Sequence, residues 1–337
     1  MGRTGWLLVL VVLLVVAGAS VGHLLGRRGD TRELTGVIGS QMTAFFADPA
    51  VRQALADHGV RLRLDPAGSR RMADLDLGGY DFAFPGSAPA AAEITRRRPA
   101  VGAPVAVFTS PLAVASFTPV VDLLQTAGLA RRVTGGHWTL DLKAFVAANQ
   151  RGLRWDQIPG NATFPVRQAV LVATTRPADS NSAALFAALL NQVTGGDLAA
   201  VTKAFADQGA VDTTTGEPFE SWLRRGKDFA PLLLIYEAQF LERYPAPGAG
   251  ADRIVLYPAP TILSEHTVVP FTTAGADLAH LLATDPQLQR LAAAHGFRTA
   301  GAPGAPGVVA LGATDTIPSP DEPTLHALLA ALEERLT

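Results

Sequence analysis

Apolar and polar residues alternate with period two at Val60-Arg61-Leu62-Arg63-Leu64, which predicts a strand. Before it, a helical pattern covers Met42 to His58, with Ser40 placed as its N-cap and Gly59 as its stop. Glu33 to Ile38 predicts a preceding strand. After it, the turn Asp65 to Ser69 leads through a short helix ending near Leu77 to a third strand, Tyr80 to Phe84. Pro85-Gly86-Ser87 closes that strand. Strands alternating with helices in this order predict a parallel α/β sheet.

Further along, Val101 to Thr109 is an apolar strand that continues extended through Pro111 to Phe117. Helices are predicted at Val120–Gly128, Leu140–Gln150, Ser182–Val193, Leu198–Gln208 and Pro218–Arg225. The apolar stretch Pro231 to Glu237 leads into a helix through Tyr244. Strands are predicted at Ala169–Thr174, Ile254–Tyr257, Thr267–Phe271 and Val308–Leu311, the last within a loop rich in glycine and proline. Helices at Leu278–Thr284, Pro286–His295 and Pro323–Leu336 complete the pattern. The return of the chain after Tyr257 predicts two crossing strands, near Val105–Ser110 and near Ile254–Pro260.

The N-terminus is of another kind. Trp6 to Val16 is unbroken apolar sequence, and small residues extend it to Leu25. At about 1.5 Å per residue the run is ~30 Å long, the thickness of a bilayer core. Residues 1–28 therefore read either as a signal peptide, with Ala17-Gly18-Ala19 as a cleavage site, or as an uncleaved anchor ending at Arg27-Arg28. Both readings place the rest of the chain outside the cytoplasm, secreted or held to the cell membrane by a single N-terminal helix.

Composition narrows the function. The 337 residues are 48% hydrophobic and 17% charged, with a formal net charge of −2. That balance suits a large folded core and argues against a nucleic-acid partner. The chain has no cysteine, which excludes disulfides, thiolate catalysis and a lipidated N-terminal cysteine. Phosphate-loop, dinucleotide and nucleophile-elbow motifs are missing, and the histidines show no His-Glu-x-x-His pair. The expectation is a non-enzyme without cofactor or metal.

Four stretches resemble the type 2 periplasmic solute-binding proteins, the two-lobed receptors of ABC importers. They are Gly39-Ser40-Gln41, Gly79-Tyr80-Asp81-Phe82-Ala83 with Pro85-Gly86-Ser87-Ala88-Pro89, the segment Thr175 to Ser182, and Tyr236-Glu237-Ala238-Gln239 followed by His266-Thr267 and His295-Gly296-Phe297-Arg298. The resemblance implies an α/β, two-lobed periplasmic-binding-protein-like type II fold with a two-crossover hinge, preceded by one N-terminal hydrophobic helix. It implies a first lobe of residues 33–108 plus 262–337 and a second of residues 109–261. A small-molecule ligand, anionic or polar, would sit between the lobes, and an ABC permease would be the partner. The alternative is a membrane-anchored ectodomain of the same fold that senses or scaffolds.

In the resembled fold the turns at helix N-termini line the cleft, where unpaired N–H groups favour anions. This makes Ser40, Gln41, Ser69, Asp81, Ser87, Ser180, Asn181 and Glu237 the candidate ligand-binding residues. Ser40 and Ser180 also read as plain N-caps, Asp81 as a turn or hinge acceptor, and Glu237 as a structural hinge hydrogen bond. Tyr236 reads as core. Arg70 and Arg71 read as surface charge or as neutralisers of an anionic ligand.

Overall fold

The computed structural model describes residues 31–134, 136–208, 216–246, 249–304, 307–311 and 315–336. The N-terminal apolar run lies outside them. Among the described residues, no helix is long and apolar enough to cross a membrane.

The chain opens with β1 (Arg32–Gly39), a 3-10 turn (Ser40–Met42), α1 (Thr43–Ala47), α2 (Pro49–Asp57), β2 (Val60–Ala67), β3 (Phe82–Phe84) and α3 (Ala88–Arg97). β1 lies between β2 and β3, parallel to both. The single helix expected over Met42–His58 is divided because Pro49 has no N–H to continue α1. Asp48 restarts the chain as N-cap of α2, accepting the Ala50 N–H at 2.7 Å. Gly39, not Ser40, precedes the first turn, so the capping expected of Ser40 is corrected.

β4 (Val105–Phe117) then carries the chain away from these strands. It is followed by α4 (Thr118–Thr126), β5 (Ala130–Arg132), β6 (Trp138–Asp141), α5 (Leu142–Gln150), α6 (Asn181–Val193), α7 (Leu198–Ala206), α8 (Gly216–Arg225), β7 (Leu233–Tyr236), α9 (Glu237–Arg243) and β8 (Arg253–Ala259). β9 (Thr261–Pro270), α10 (Thr273–Thr284), α11 (Pro286–Ala294), β10 (Thr316–Ile317) and α12 (Glu322–Leu336) complete the order.

Two strand passages join the two halves of one ten-stranded sheet. The first half of β4 pairs antiparallel with β9 over Val105–Pro111, beside β3, β1 and β2. The second half pairs antiparallel with β7 and β8, beside β6 and β5. β4 on one side and β8–β9 on the other are the two crossovers expected from the sequence. The core follows the same division. One apolar cluster spans Leu112 to Ile262, and a separate one gathers Leu34, Phe45, Phe84, Phe108, Val268 and Phe297.

Two expectations are corrected. Ala169–Thr174 forms only isolated bridges, from Ala169 to Arg154 and from Ala173 to Leu233. Val308–Leu311 is not a strand; the short strand of that region is β10, paired with Thr261–Ile262. Leu325, Leu329 and Leu332 of α12 are buried in the cluster with residues 112–262, and the same helix lies against α3 of the first lobe, where Glu322 pairs with Arg96 at 3.2 Å. Its amphipathic stripe finds apolar partners on α6 and α7.

Candidate functional site

The turns that follow β1, β2 and β3 converge with the start of α6. Ser87 is the N-cap of α3, accepting from the Ala90 N–H, and its hydroxyl donates to Asn181 Oδ1, the first residue of α6. Helix N-termini from the two lobes therefore meet. Asn181 Nδ2 donates to Tyr236 Oη at 2.8 Å and lies 3.4 Å from Ser264 Oγ. Ser264, on β9, donates to the Gly86 carbonyl, and the Gly86 N–H donates to Ser69 Oγ at 2.9 Å. Each of these side chains is buried.

Gln41 completes the group. It is only 8% exposed, and its Nε2 has no hydrogen-bond partner. A Cβ at Gly86 would lie 2.6 Å from that nitrogen and 3.4 Å from Tyr236 Oη, so glycine is what lets the β3–α3 turn approach. An unpaired buried amide donor is costly, roughly 1–3 kcal/mol. Gln41 and Ser40 also line a cavity of about 710 Å³ between the first lobe and α8–α9, walled by Gly216, Arg224, Gln239 and Arg243. Ser40 Oγ accepts the Gly216 N–H at 3.2 Å there.

The side chains of the buried cluster are neutral. Burial raises Tyr236 to about 12, against the lowering effect of Asn181 and Ser264, so it remains a phenol. His266, edge-on to Tyr236 at 5.5 Å, is lowered by burial to about 4 and is neutral near pH 7.

The other expected residues lie apart from this cluster. Ser180 is buried in the N-cap position of α6 without a capping bond, its Oγ 3.1 Å from Ser182 Oγ. Asp81 binds the Thr35 N–H at 2.9 Å and Thr272 Oγ1 at 3.0 Å, tying β3 to β1 and α10. Glu237 is fully buried at the hinge: Arg298 grips it with two bonds of 2.8 Å, and Tyr257 Oη donates to it at 2.6 Å. Arg298 also exchanges two backbone bonds with Thr109 of β4. Arg70 is buried against Glu93 at 3.0 Å, which corrects its reading as surface charge, while Arg71 is exposed. Tyr236 and Ser264 are members of the cluster not expected from sequence. Ser264 carries no local signal, because it is one polar residue in a strand.

No family model and no curated protein matches the sequence. Solved structures do match its fold. A periplasmic thiamin binding protein is 12% identical, covering 92% of this chain and 98% of its own, with a TM-score of 0.63. Iron-bound HitA from Pseudomonas aeruginosa is 11% identical over 90% of this chain and 99% of its own, at 0.60. The sulfate-binding protein SubI from Mycobacterium tuberculosis is 16% identical over 80% and 87%, at 0.50. This chain has the two-lobed α/β fold of the type 2 periplasmic solute-binding proteins.

Proposed function

We propose that the chain is an extracytoplasmic solute-binding protein that captures a small anionic or polar ligand between its lobes for an ABC-type importer, without catalysing a reaction. The observation that carries this reading is the meeting of the α3 and α6 N-termini at Ser87 and Asn181, beside the unpaired amide of Gln41. Two sets of helix N–H groups and neutral donors suit a ligand that accepts hydrogen bonds. Gln41, Ser69, Ser87 and Asn181 would make direct contact, with Tyr236 and Ser264 behind them and Ser40 at the cavity. Asp81 and Glu237 would set the frame and the hinge. The first lobe is taken as residues 33–108 and 262–297, and the second as residues 109–261 with α12.

A second reading, a membrane-anchored sensory or scaffolding ectodomain, is favoured by the apolar run Trp6–Leu25 and by the lack of a cysteine for a lipid tether. Native mass spectrometry of the purified full chain tests the first. A co-purifying solute whose occupancy falls in Gln41→Ala and Ser87→Ala supports capture. A bare chain that shows no heat on titration with sulfate, phosphate, carboxylates or thiamin would overturn it. Recovery with permease and ATPase subunits supports import over sensing.

A further inference from the structure

Two stretches share one pattern: Asp48-Pro49 to His58-Gly59 and Asp285-Pro286 to His295-Gly296, with the same spacing. They are α2 and α11, packed side by side with their flanking caps. Each N-cap aspartate serves its own helix with one oxygen. Asp48 Oδ1 accepts from Ala50 at 2.7 Å, and Asp285 Oδ1 accepts from Gln287 at 2.9 Å and Leu288 at 2.8 Å. The other oxygen reaches the C-cap histidine of the opposite helix: Asp48 to His295 Nε2 at 2.9 Å, Asp285 to His58 Nε2 at 3.2 Å.

The two histidines differ in what else they meet. His58 is 45% exposed, and His295 only 14%. Nδ1 of His295 lies 3.3 Å from Glu242 Oε1 on α9, an ion-pair contact out of hydrogen-bond alignment, since this buried nitrogen has no hydrogen-bond partner among the described residues. Its ring stands edge-on to Phe45 at 5.6 Å. The next residue, Gly296, has φ +82°, and a Cβ there would lie 2.8 Å from Leu241 Cβ, so α9 rests directly on this turn. At the other end of α9, Glu237 is paired with Arg298. The helix is thus fastened to residues 295–298 at both ends, and it begins at Tyr236 of the candidate site.

An imidazole facing a carboxylate on each side attracts both only when it carries both protons. Neutral, it turns a lone pair toward one of them. The charged groups facing His295 are Asp48 on the α2 side, with Arg52 acting on Asp48, and Glu242 on α9. Arg243, next along α9, is turned to Glu220 at 3.0 Å.

We propose that the doubly protonated His295, held between Asp48 and Glu242, clamps α9 to the first lobe, and that loss of its proton frees the Glu242 end of α9 and loosens the site at Tyr236. The contact with Glu242, then that with Asp48, raises His295 above its ordinary value against the opposing effect of burial. A raised value in the folded chain means that the clamp is complete below pH ~6.5 and is lost as pH rises through the raised value. The effect on solute retention rests on the solute-binding reading; the clamp does not.

The test is native-state hydrogen exchange of the full chain, without ligand, read on the peptide covering Glu237–Arg243. Rates are divided by the intrinsic rate at each pH between about 5.5 and about 8.5. The expected result is α9 exchange about 3- to 30-fold faster at the upper pH, the loss of one partly buried ion-pair contact. His295→Gln exchanges at the fast rate throughout, Glu242→Gln loses the pH dependence, and His58→Gln keeps it. If His295→Gln does not fold, the wild-type and Glu242→Gln profiles decide. Flat α9 exchange in the wild type, or an undiminished pH dependence in Glu242→Gln, overturns the clamp. Either outcome leaves solute capture to be judged by its own titrations.

Discussion

Replacing Asn181 with alanine should weaken both the fold and the closure of the lobes, by different amounts. The side chain makes two close hydrogen bonds, one accepted from Ser87 and one of 2.8 Å donated to Tyr236; the 3.4 Å approach to Ser264 is weaker. Two neutral bonds at about 1 kcal/mol each, plus a Ser87 hydroxyl left without its acceptor, give a stability loss of roughly 2–4 kcal/mol. Tyr236 retains Ser264 as a partner, which limits the loss. Only the bond to Ser87 joins the two helix N-termini, so closure should weaken by about 1 kcal/mol, a roughly fivefold fall in the closed-to-open ratio. Ser87→Ala should reproduce the closure effect, and a double-mutant cycle should return a coupling of about 1 kcal/mol. The chain has no cysteine, so Arg61→Cys and Lys143→Cys at exposed positions on the two lobes accept spin labels without competition. Their distance distribution reads closure, and urea unfolding reads stability. A distribution unchanged by Asn181→Ala, alongside the expected stability loss, would refute the idea that this contact holds the lobes together.

Arg298→Ala leaves the buried Glu237 with Tyr257 alone and should cost roughly 3–5 kcal/mol in urea unfolding. The pair Arg298→Met with Glu237→Gln should recover most of that loss, and failure to recover would show that the ion pair is not the source. His266, lowered to about 4 from an ordinary 6.5, contributes stability above pH ~6.5 that is lost as pH falls toward 4, about 3 kcal/mol in all. His266→Phe should flatten that acid limb, and an unchanged limb would assign it to other groups. Gly296→Ala combines a left-handed backbone with a clash at Leu241 and should lose roughly 2 kcal/mol or more, with faster exchange in α9.

Local pattern carried the first-lobe strands and the hinge. β2 alternates cleanly because one of its faces is covered, and the long apolar β4 reads as a strand that stays buried through both halves of the sheet. Where partners are distant, the pattern misled. Ala169–Thr174 has the apolar content of a strand, but its neighbours meet it only at single residues. The terminal helix showed its stripe, yet nothing local says which lobe supplies the apolar surface beneath it. In the candidate site, Ser87 and Asn181 were legible because helix starts have a residue signature. Ser264 and the partners of Glu237 were not, because their roles arise from contacts between residues as far apart as Gly86 and Ser264.

The strand order has a consequence for how the molecule is made. β9 lies between β3 and β4, and it pairs with both. On a chain synthesised from its N-terminus, the strands of residues 32–117 emerge long before the strand that joins them. The first lobe's sheet stays divided, with open edges on β3 and β4, until residue 270 is available. The second lobe has its strands by residue 259 but waits for Leu325, Leu329 and Leu332 to cover α6 and α7. Neither half can finish alone, so biogenesis is a late, joint event. Newly made chains pass through a stage with exposed strand edges, the stage most open to aggregation and to capture by chaperones.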